Sequence, residues 1–481
     1  MRGKFVLNGN ALPEFRHQSE AVIEALCRSF GMEEGFSGAK PEDVRKSISE
    51  LDILPEKGIG FDKAMSLVES KVLPDMLKVS LFGIMAHLHT PVLVESIAAE
   101  TIIAAYNQSM DSWDQGPSVT EVEIALIRRL ARLYGFDDNS DGTFTSGGTQ
   151  SNLQACLIAR DKAFAKLGSD VRKSGLRDLS GKLRIYISEI AHFSFHKSAH
   201  ILGLGYDSVR CIPVNSRMQM DVELLEKAVD EDLEAGFVPC MAVATVGTTD
   251  FGSIDDLEAI SRVCKKHGMH FHADAAYGSA CILSGKYKKR VENLRLCDSI
   301  TVDFHKMFLL PVSCSCILVR DAADFDCLSF HSDYLNREED EDDGYDNLVG
   351  KSLLTTRRAD CLKVLMAFMV RGADGLDDMV TSMLDNARYF HDILDAKDDI
   401  ETLNEPELTS VVFRRLPSAK GADVNEFNRK LRRWLMHEKR VIIGQTALNG
   451  DVYLKFTLLN PALEKSDFDK MLFVICGFQP S

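Results

Sequence analysis

The order of apolar and helical segments between residues 86 and 355 is the feature that most constrains the fold of this chain. Short apolar runs alternate there with helical patterns, as in 241–245 before 256–263. Strands that alternate with helices typically form a parallel sheet covered by helices. With 481 residues, of which 45% are hydrophobic, the chain can bury a large core and should hold more than one domain. The pattern therefore predicts an α/β fold.

The regions on either side of this alternation have different patterns. Residues 1–85 look helical and carry no chemical motif. The C-terminal region has the pattern of a smaller α+β unit, with strands predicted at 410–414 and 452–458. We therefore expect an N-terminal helical segment at 1–85, a large domain at 86–359 and a small C-terminal domain at 360–481.

A lysine follows one of the predicted strands at the point where a ligand would bind. Residues 300–302 are β-branched and predict a short buried strand, and Asp303, His305 and Lys306 come where this strand should end. Ligands of α/β sheets bind at the carboxyl ends of the strands. A partly desolvated lysine in such a crevice can form a Schiff base with an aldehyde cofactor. A solvated surface lysine is the alternative, and the other motifs decide between the two.

Two motifs upstream suit a flat ring that carries a phosphate. Asp274 lies among small residues, including Ala276, so its carboxylate can keep a pyridine nitrogen protonated or can simply cap the next turn. Gly147 and Gly148 open a predicted helix and expose backbone N–H groups at its positive end, which suits a phosphate. The hydroxyl of Thr149 adds a possible donor. The glycine spacing matches neither the P-loop nor the dinucleotide-binding pattern.

His192 completes the set, because it follows the predicted strand at 183–187. A histidine at this place can stack on a cofactor ring, or it can be satisfied by local hydrogen bonds. The order along the chain is thus a phosphate turn, a stacking histidine, an aspartate for a pyridine nitrogen and a lysine for an aldehyde.

This order resembles the fold-type-I pyridoxal 5'-phosphate (PLP) enzymes, specifically the group II amino-acid decarboxylases, from about Met85 onward. The resemblance implies PLP as cofactor, bound on a mainly parallel sheet. It implies catalytic roles for Lys306, Tyr334, His192 and Asp274. The residues that it places at the cofactor are Gly147, Gly148, Thr149, His192, Thr245, Asp274, Ala276, Asp303, His305 and Lys306. Those that it places near the substrate are His89, Thr90 and Gln108.

Within this family, the chain is most similar to the decarboxylases of L-2,4-diaminobutyrate and of lysine. The stretches that carry this likeness are 109–115, 311–315, 334–340, 347–352 and 355–360. The resemblance therefore implies decarboxylation of a diamino acid to an amine and carbon dioxide. The alternatives are an aromatic or acidic amino-acid decarboxylase of the same family, a PLP-dependent transaminase or an aldehyde synthase. A non-catalytic protein that kept the PLP fold is a remote alternative.

The same resemblance suggests how the residues would act. The substrate amine would displace Lys306, and carbon dioxide would leave as charge delocalises into a ring whose N–H is held by Asp274. Tyr334 is the candidate acid for the substrate Cα, and its presence argues against an aldehyde synthase. Asp303 would lie beside the phosphate, so it should be hydrogen-bonded outward or partly protonated.

The charge and cysteine content restrict the partners. A net charge of −16 argues against nucleic acid or an anionic membrane as partner. The first residues lack the apolar run of a signal peptide, and the twelve cysteines lack C-x-x-C metal spacing, so we expect a cytoplasmic protein without a metal site. Fold-type-I relatives build their sites from two chains, and residues 1–85 need a surface on which to pack. We therefore expect a homodimer with its active site at the interface.

One stretch breaks the globular pattern. Residues 338–343 are six consecutive carboxylates. Charges of one sign at this density repel each other and favour an exposed loop. Such a loop can be solvated without any ligand role, or it can close over the site and favour cationic substrates.

Overall fold

The computed structural model describes residues 6–176, 181–330, 339 and 343–479. The chain forms two compact units. The larger unit contains Val92–Arg388 and Asn404–Ser410, and the smaller contains Met1–Pro91, Tyr389–Leu403 and Val411–Ser481. The domain boundaries expected from the sequence, at 85/86 and 359/360, stay a prediction.

The secondary structure of the described residues alternates as the sequence indicates. The strands are β1 Ile84–Met85, β2 Asp141–Thr145, β3 Leu183–Ser188, β4 Val209–Ile212, β5 Val238–Thr245, β6 His270–Asp274, β7 Ser299–Asp303, β8 Ser315–Val319, β9 Ile400–Thr402, β10 Ser410–Arg415, β11 Ile442–Leu448 and β12 Asp451–Thr457. The helices are α1 Leu12–Phe30, α2 Pro41–Ser49, α3 Phe61–Lys71, α4 Val94–Tyr106, α5 Pro117–Leu133, α6 Gly148–Lys166, α7 Val171–Ser174, α8 Ser194–Ile201, α9 Val222–Glu234, α10 Leu257–His267, α11 Cys361–Asp395, α12 Val424–Glu438 and α13 Lys465–Cys476. Helix α11 is interrupted at Gly372, whose φ of 64° lies outside the helical region.

The larger unit is built on a seven-stranded sheet with the order β2-β8-β7-β6-β5-β3-β4. Strands β4, β3, β5, β6 and β7 pair in parallel, and β8 is antiparallel to both β7 and β2. This confirms the predicted α/β class with a mainly parallel sheet. Each residue of β6 and β7 is buried, because helices and loops cover both faces of a parallel sheet.

Helices α10 and α6 of this unit differ in how they begin. Asp256 caps α10 by accepting a hydrogen bond from the Ala259 N–H at 3.0 Å, and Gly268 ends that helix with a left-handed φ of 65°. Helix α6 begins after Gly147 and has no side-chain cap. Its first N–H groups therefore donate no hydrogen bond to a side chain at the cap, and such groups at the start of a helix need another acceptor.

The smaller unit contains a five-stranded sheet with the order β1-β11-β12-β10-β9. The predicted strands at 410–414 and 452–458 are present as β10 and β12. The N-terminal segment contains α1 to α3, as predicted, but its end also forms β1, which pairs in parallel with β11 through Ile84 and Ile442. None of the described helices combines the length and apolarity needed to cross a membrane.

Candidate active site

Two buried carboxylates lie at the carboxyl ends of adjacent strands. Asp274 ends β6 and Asp303 ends β7, and these strands pair in parallel. The two residues are only 6% and 2% exposed. Because parallel strands bring their carboxyl ends to one edge, the topology gathers both acids where ligands of α/β sheets bind.

Lys306 lies beside the second of these acids. Its Nζ is 3.1 Å from Oδ2 of Asp303, and its side chain is 19% exposed. The other carboxylate oxygen of Asp303 accepts a hydrogen bond from the Ser315 hydroxyl, and Nε2 of His305 lies 3.6 Å from Oδ2. Asp303 is thus hydrogen-bonded to Ser315 and lies against the amino group of Lys306, and the outward or partly protonated arrangement expected from the sequence stays a prediction.

The glycine turn packs directly on this ion pair. Gly147 has a φ of 151°, a conformation that residues with a Cβ rarely adopt. A Cβ on Gly148 would lie 3.0 Å from both carboxylate oxygens of Asp303 and 3.3 Å from the Cβ of Ala276. The start of α6 therefore faces Asp303 and Ala276 with only backbone between them. Ser146 is bonded locally, since its hydroxyl donates to Oε1 of Gln150 at 2.7 Å.

Asp274 is held by an asparagine from α6. Nδ2 of Asn152 donates to Oδ2 of Asp274 at 2.9 Å and to the Ser194 hydroxyl at 3.0 Å. The other oxygen of Asp274 accepts the Ala276 N–H at 3.3 Å, so the local turn cap considered for this residue is also present. These bonds fix the carboxylate while it lies at the edge of the sheet.

His192 lies within the electrostatic field of the same groups. Burial lowers the pKa of His192, the charge of Lys306 lowers it further, and Asp274 and Asp303 act in the opposite direction. Nδ1 accepts the Ser194 N–H at 3.3 Å. A neutral imidazole with Nδ1 as acceptor carries its proton on Nε2. The structure thus brings His192, Asp274, Asp303 and Lys306 together, and their catalytic and cofactor-binding roles stay predictions.

The comparison with known families agrees with this geometry. A model of the pyridoxal-dependent decarboxylase conserved domain matches residues 65–416. The chain belongs to the pyridoxal-dependent decarboxylase family. This membership confirms the predicted family, the predicted cofactor and the predicted class of enzyme.

Relatives in this family match nearly the whole chain. An L-2,4-diaminobutyrate decarboxylase of Acinetobacter baumannii is 35% identical over 475 residues, which cover 97% of this chain and 92% of the relative. An L-2,4-diaminobutyrate decarboxylase of Rhizobium meliloti is 38% identical over 426 residues, covering 89% of this chain and 83% of the relative.

Solved structures of the family have the same fold. The glutamate decarboxylase domain of diaminobutyrate-pyruvate transaminase and L-2,4-diaminobutyrate decarboxylase from Vibrio parahaemolyticus superposes with a TM-score of 0.89 at 36% identity, covering 98% of this chain and 96% of that chain. Tryptophan decarboxylase of Catharanthus roseus, in complex with L-tryptophan, has a TM-score of 0.87 at 22% identity over 98% of both chains, which supports the fold alone.

The residues at the site fit the cofactor of this decarboxylase family. The hydroxyl of Thr245 is buried and has no hydrogen-bond partner among the described residues, while its N–H donates to Asp255 at 2.7 Å. An orphaned buried hydroxyl is unfavourable unless a ligand satisfies it. The uncapped start of α6 offers N–H groups to a phosphate, and the bare backbone at Gly148 allows close approach.

Some predicted site residues are not placed with this cluster. Tyr334 and most of the acidic stretch lie outside the described residues. Gln108 is half-buried in the larger unit. His89 and Thr90 belong to the smaller unit, where Thr90 is buried and burial lowers the pKa of His89. The roles of these four residues stay predictions.

Other residues of the site escaped the sequence reasoning. Asn152 donates a hydrogen bond to the carboxylate of Asp274, and Ser315 donates one to that of Asp303. Glu123 and Arg357 form a buried ion pair against β2, the strand that leads into the glycine turn. Asn152 was visible only as the end of the glycine-rich stretch, and Arg357 only as part of 355–360. Their partners are far away along the chain, so no local spacing could reveal them.

Proposed function

We propose that this chain is a PLP-dependent decarboxylase of a diamino acid, with L-2,4-diaminobutyrate as substrate and its amine and carbon dioxide as products. The observation that carries the substrate is the likeness of 35% and 38%, over most of the chain, to two enzymes of that name. The convergence of Lys306, Asp274 and His192 at one edge of the sheet supports the reaction.

The bound cofactor would supply an electron sink for the charge left when carbon dioxide departs. Lys306 would hold its aldehyde carbon, and Asp303 keeps the Nζ in place at 3.1 Å. Asp274 would accept a hydrogen bond from the protonated pyridine nitrogen and keep it protonated, in an orientation set by the 2.9 Å bond from Asn152. His192 would lie over the ring as a neutral side chain that keeps a proton on Nε2. Tyr334 would protonate the substrate Cα.

The acidic stretch 338–343 would favour a substrate with a second ammonium group. Charges in water interact weakly, by roughly 1 kcal/mol per pair at contact distance and less in salt. We therefore expect the stretch to change the preference between substrates by no more than about tenfold, which corresponds to ~1.4 kcal/mol. A carboxylate or carbonyl within the pocket would supply the remaining selectivity.

A substrate panel tests the assignment. Carbon dioxide release would be measured with L-2,4-diaminobutyrate, ornithine, lysine, tyrosine, tryptophan and glutamate. We expect the largest kcat/KM with L-2,4-diaminobutyrate. Faster turnover of tyrosine or tryptophan than of every diamino acid would contradict the proposed substrate, and amino transfer in place of carbon dioxide release would contradict the reaction.

The role of Lys306 is tested by Lys306→Ala. We expect loss of turnover together with loss of the visible absorbance of the covalently bound cofactor. Lys286→Ala is a matched control, because Lys286 is an exposed lysine paired with Asp385 at 2.6 Å. Full activity and unchanged absorbance in Lys306→Ala would refute the site.

We also propose that the protein is a homodimer with its active site near the subunit interface. Helix α1 exposes a series of large apolar side chains, namely Leu12, Phe15, Val22, Ile23, Leu26 and Phe30. Apolar helix faces gain their stability by packing on another surface, and a second copy of the chain would supply one. Multi-angle light scattering tests this, and an active, monodisperse monomer would refute it.

A cytoplasmic location and a role in polyamine formation are part of the same proposal. All twelve cysteines are free thiols in the structure, and most are buried. Reduced cysteines in this number are typical of a reducing compartment. Fractionation of the native cells, with detection of the chain among the cytoplasmic proteins, would check the location.

A further inference from the structure

A cavity of about 550 Å³ lies at the edge of the large sheet opposite Lys306. It is lined by residues 238–240 at the start of β5 and by His270 at the start of β6. Asp274 is the last residue of β6, and Lys306 follows the last residue of β7. Because these strands are parallel, the cavity and the candidate active site lie at opposite ends of the same strands. The volume is in the range of sites for small molecules.

The cavity combines apolar walls with a positive rim. Leu167, Leu233, Phe237 and Met269 contribute apolar surface. The charged side chains of the lining are Lys162, Lys166, Lys265 and Asp298, and His267 also lies there. Lys162 pairs with Asp324 at 2.6 Å, whereas Lys166 donates to the carbonyl oxygen of Gly268, an uncharged partner, at 2.7 Å. The surplus of ammonium groups favours an anion.

A chain of buried hydrogen bonds runs from the candidate active site to this cavity. Asp274 accepts a hydrogen bond from Nδ2 of Asn152, so the amide oxygen of Asn152 is free to accept a hydrogen bond from another group. That oxygen lies 3.1 Å from Nε2 of His272. Burial lowers the pKa of His272 to about 3, so the imidazole is neutral and carries one proton, on Nε2. Nδ1 of His272 must then accept a hydrogen bond.

The donor to His272 is the hydroxyl of Ser299, which lies 2.8 Å from Nδ1. The same oxygen is 2.8 Å from Nε2 of His270. A hydroxyl has one proton, so Ser299 donates to His272 and accepts from His270. His270, whose pKa burial lowers to about 3, therefore has a bare Nδ1.

This nitrogen is the unsatisfied end of the chain. His270 is 5% exposed, and its Nδ1 has no hydrogen-bond partner among the residues that the structure describes. A buried acceptor without a donor is unfavourable and is rare in folded proteins. His270 lines the cavity but its Nδ1 is itself buried, so a ligand in the cavity can supply the missing donor once the imidazole turns toward it.

We propose that this cavity is a second ligand site, for a small organic anion with an apolar body and a hydroxyl or N–H donor. The carboxylate of such a ligand would lie at Lys166 and Lys265, its apolar body against Phe237, and its donor at Nδ1 of His270. A hydroxyaryl carboxylate has all three features.

Titration calorimetry of the full-length holoenzyme with 4-hydroxyphenylacetate tests the site. Phenylacetate lacks the donor and 2-(4-hydroxyphenyl)ethanol lacks the charge, so the three compounds separate the two polar contacts without any substitution in a buried strand. We expect 4-hydroxyphenylacetate to bind with one site per chain, and each analogue to bind about tenfold more weakly.

Two rim substitutions locate the binding. Lys166→Gln and Lys265→Gln should each weaken 4-hydroxyphenylacetate severalfold, because each removes one positive charge from the cavity. Lys227→Gln is the control, since Lys227 is 71% exposed and lies outside the lining. Equal affinity for the three compounds, affinity that neither rim substitution changes, or no measurable binding of 4-hydroxyphenylacetate would overturn the proposal.

Discussion

Replacement of Arg357 by methionine should destabilise the larger unit strongly, although the residue is remote from the reacting groups in the sequence. Arg357 and Glu123 are 5% and 1% exposed, and they form a two-point ion pair with N–O distances of 3.0 and 3.2 Å. Arg357 also donates to the carbonyl oxygens of Phe144 and Met110 at 3.2 and 3.4 Å. The pair thus ties α5 to β2 and to two loops.

The expected magnitude follows from what remains after the substitution. Arg357→Met would leave the carboxylate of Glu123 buried with the Phe144 N–H, at 3.1 Å, as its main donor. Removal of one partner of a buried ion pair typically costs about 3–5 kcal/mol. The double variant Glu123→Leu/Arg357→Met has no buried charge. Like the single variant it removes the donors to the Phe144 and Met110 carbonyl oxygens, and it also removes the partner of the Phe144 N–H, so it should cost less than Arg357→Met, about 1–3 kcal/mol.

Urea unfolding of the purified holoenzyme variants measures these differences. Arg358→Met is the matched control, because the neighbouring Arg358 is 52% exposed where it pairs with Glu100, and exposed pairs contribute about 0–1 kcal/mol. We also expect weaker cofactor binding in Arg357→Met, since β2 leads into the glycine turn. Equal losses for the two arginine variants, or a double variant that costs the sum of the two single ones, would refute the reasoning.

Three further predictions concern the turn, the buried histidines and the tyrosine. Gly148→Ala should weaken PLP binding roughly tenfold in equilibrium dialysis, because its Cβ would lie 3.0 Å from Asp303. Gly181→Ala should have no effect, because no atom of the described residues comes within 4 Å of the added Cβ. Burial lowers the pKa values of His270 and His272 to about 3, so only the unfolded chain takes up their protons as the pH falls from about 6.5. The contribution of the two histidines to the free energy of unfolding should therefore be complete above that pH. Below it, this free energy should fall by about 2.7 kcal/mol per pH unit near pH 5 for the pair. Urea unfolding of His270→Gln should show about half of this slope, and an unchanged slope would contradict the prediction. Tyr334→Phe should retain the cofactor but form aldehyde at the expense of amine in the presence of oxygen, and an unchanged amine yield would remove Tyr334 from the mechanism.

The sequence alone predicts the class of fold and most of the groups at the site. Local apolar patterns predict strands β3, β5 and β7, because burial on both faces of a parallel sheet leaves a continuous apolar run. Helix α6 follows from its Ala- and Leu-rich sequence. The positions of Asp303 and Lys306 follow from the end of β7 in the same way. The order of the four motifs then carries the family and the cofactor.

The tertiary structure decides which residues meet. Asn152 and Asp274 are 122 positions apart, and Arg357 and Glu123 are 234 positions apart, yet each pair is in hydrogen-bond contact. A periodic pattern of apolar residues indicates that a side chain is buried, but it does not indicate which residue that side chain contacts. The partners of buried polar groups are set by strand order and by the path of distant loops, and neither has a local signal.

The lack of a local signal also explains why neither strand β1 nor the hydrogen bonds between Ser299, His270 and His272 could be predicted from the sequence. A strand of two residues, Ile84–Met85, has no period to detect, and it exists only because β11 offers a parallel edge. His270 and His272 show alternation along one strand, but the hydroxyl between them comes from Ser299 on β7. Local patterns determined where this chain forms strands, helices and turns, whereas the satisfaction of its buried polar groups depended on contacts that only the folded chain provides.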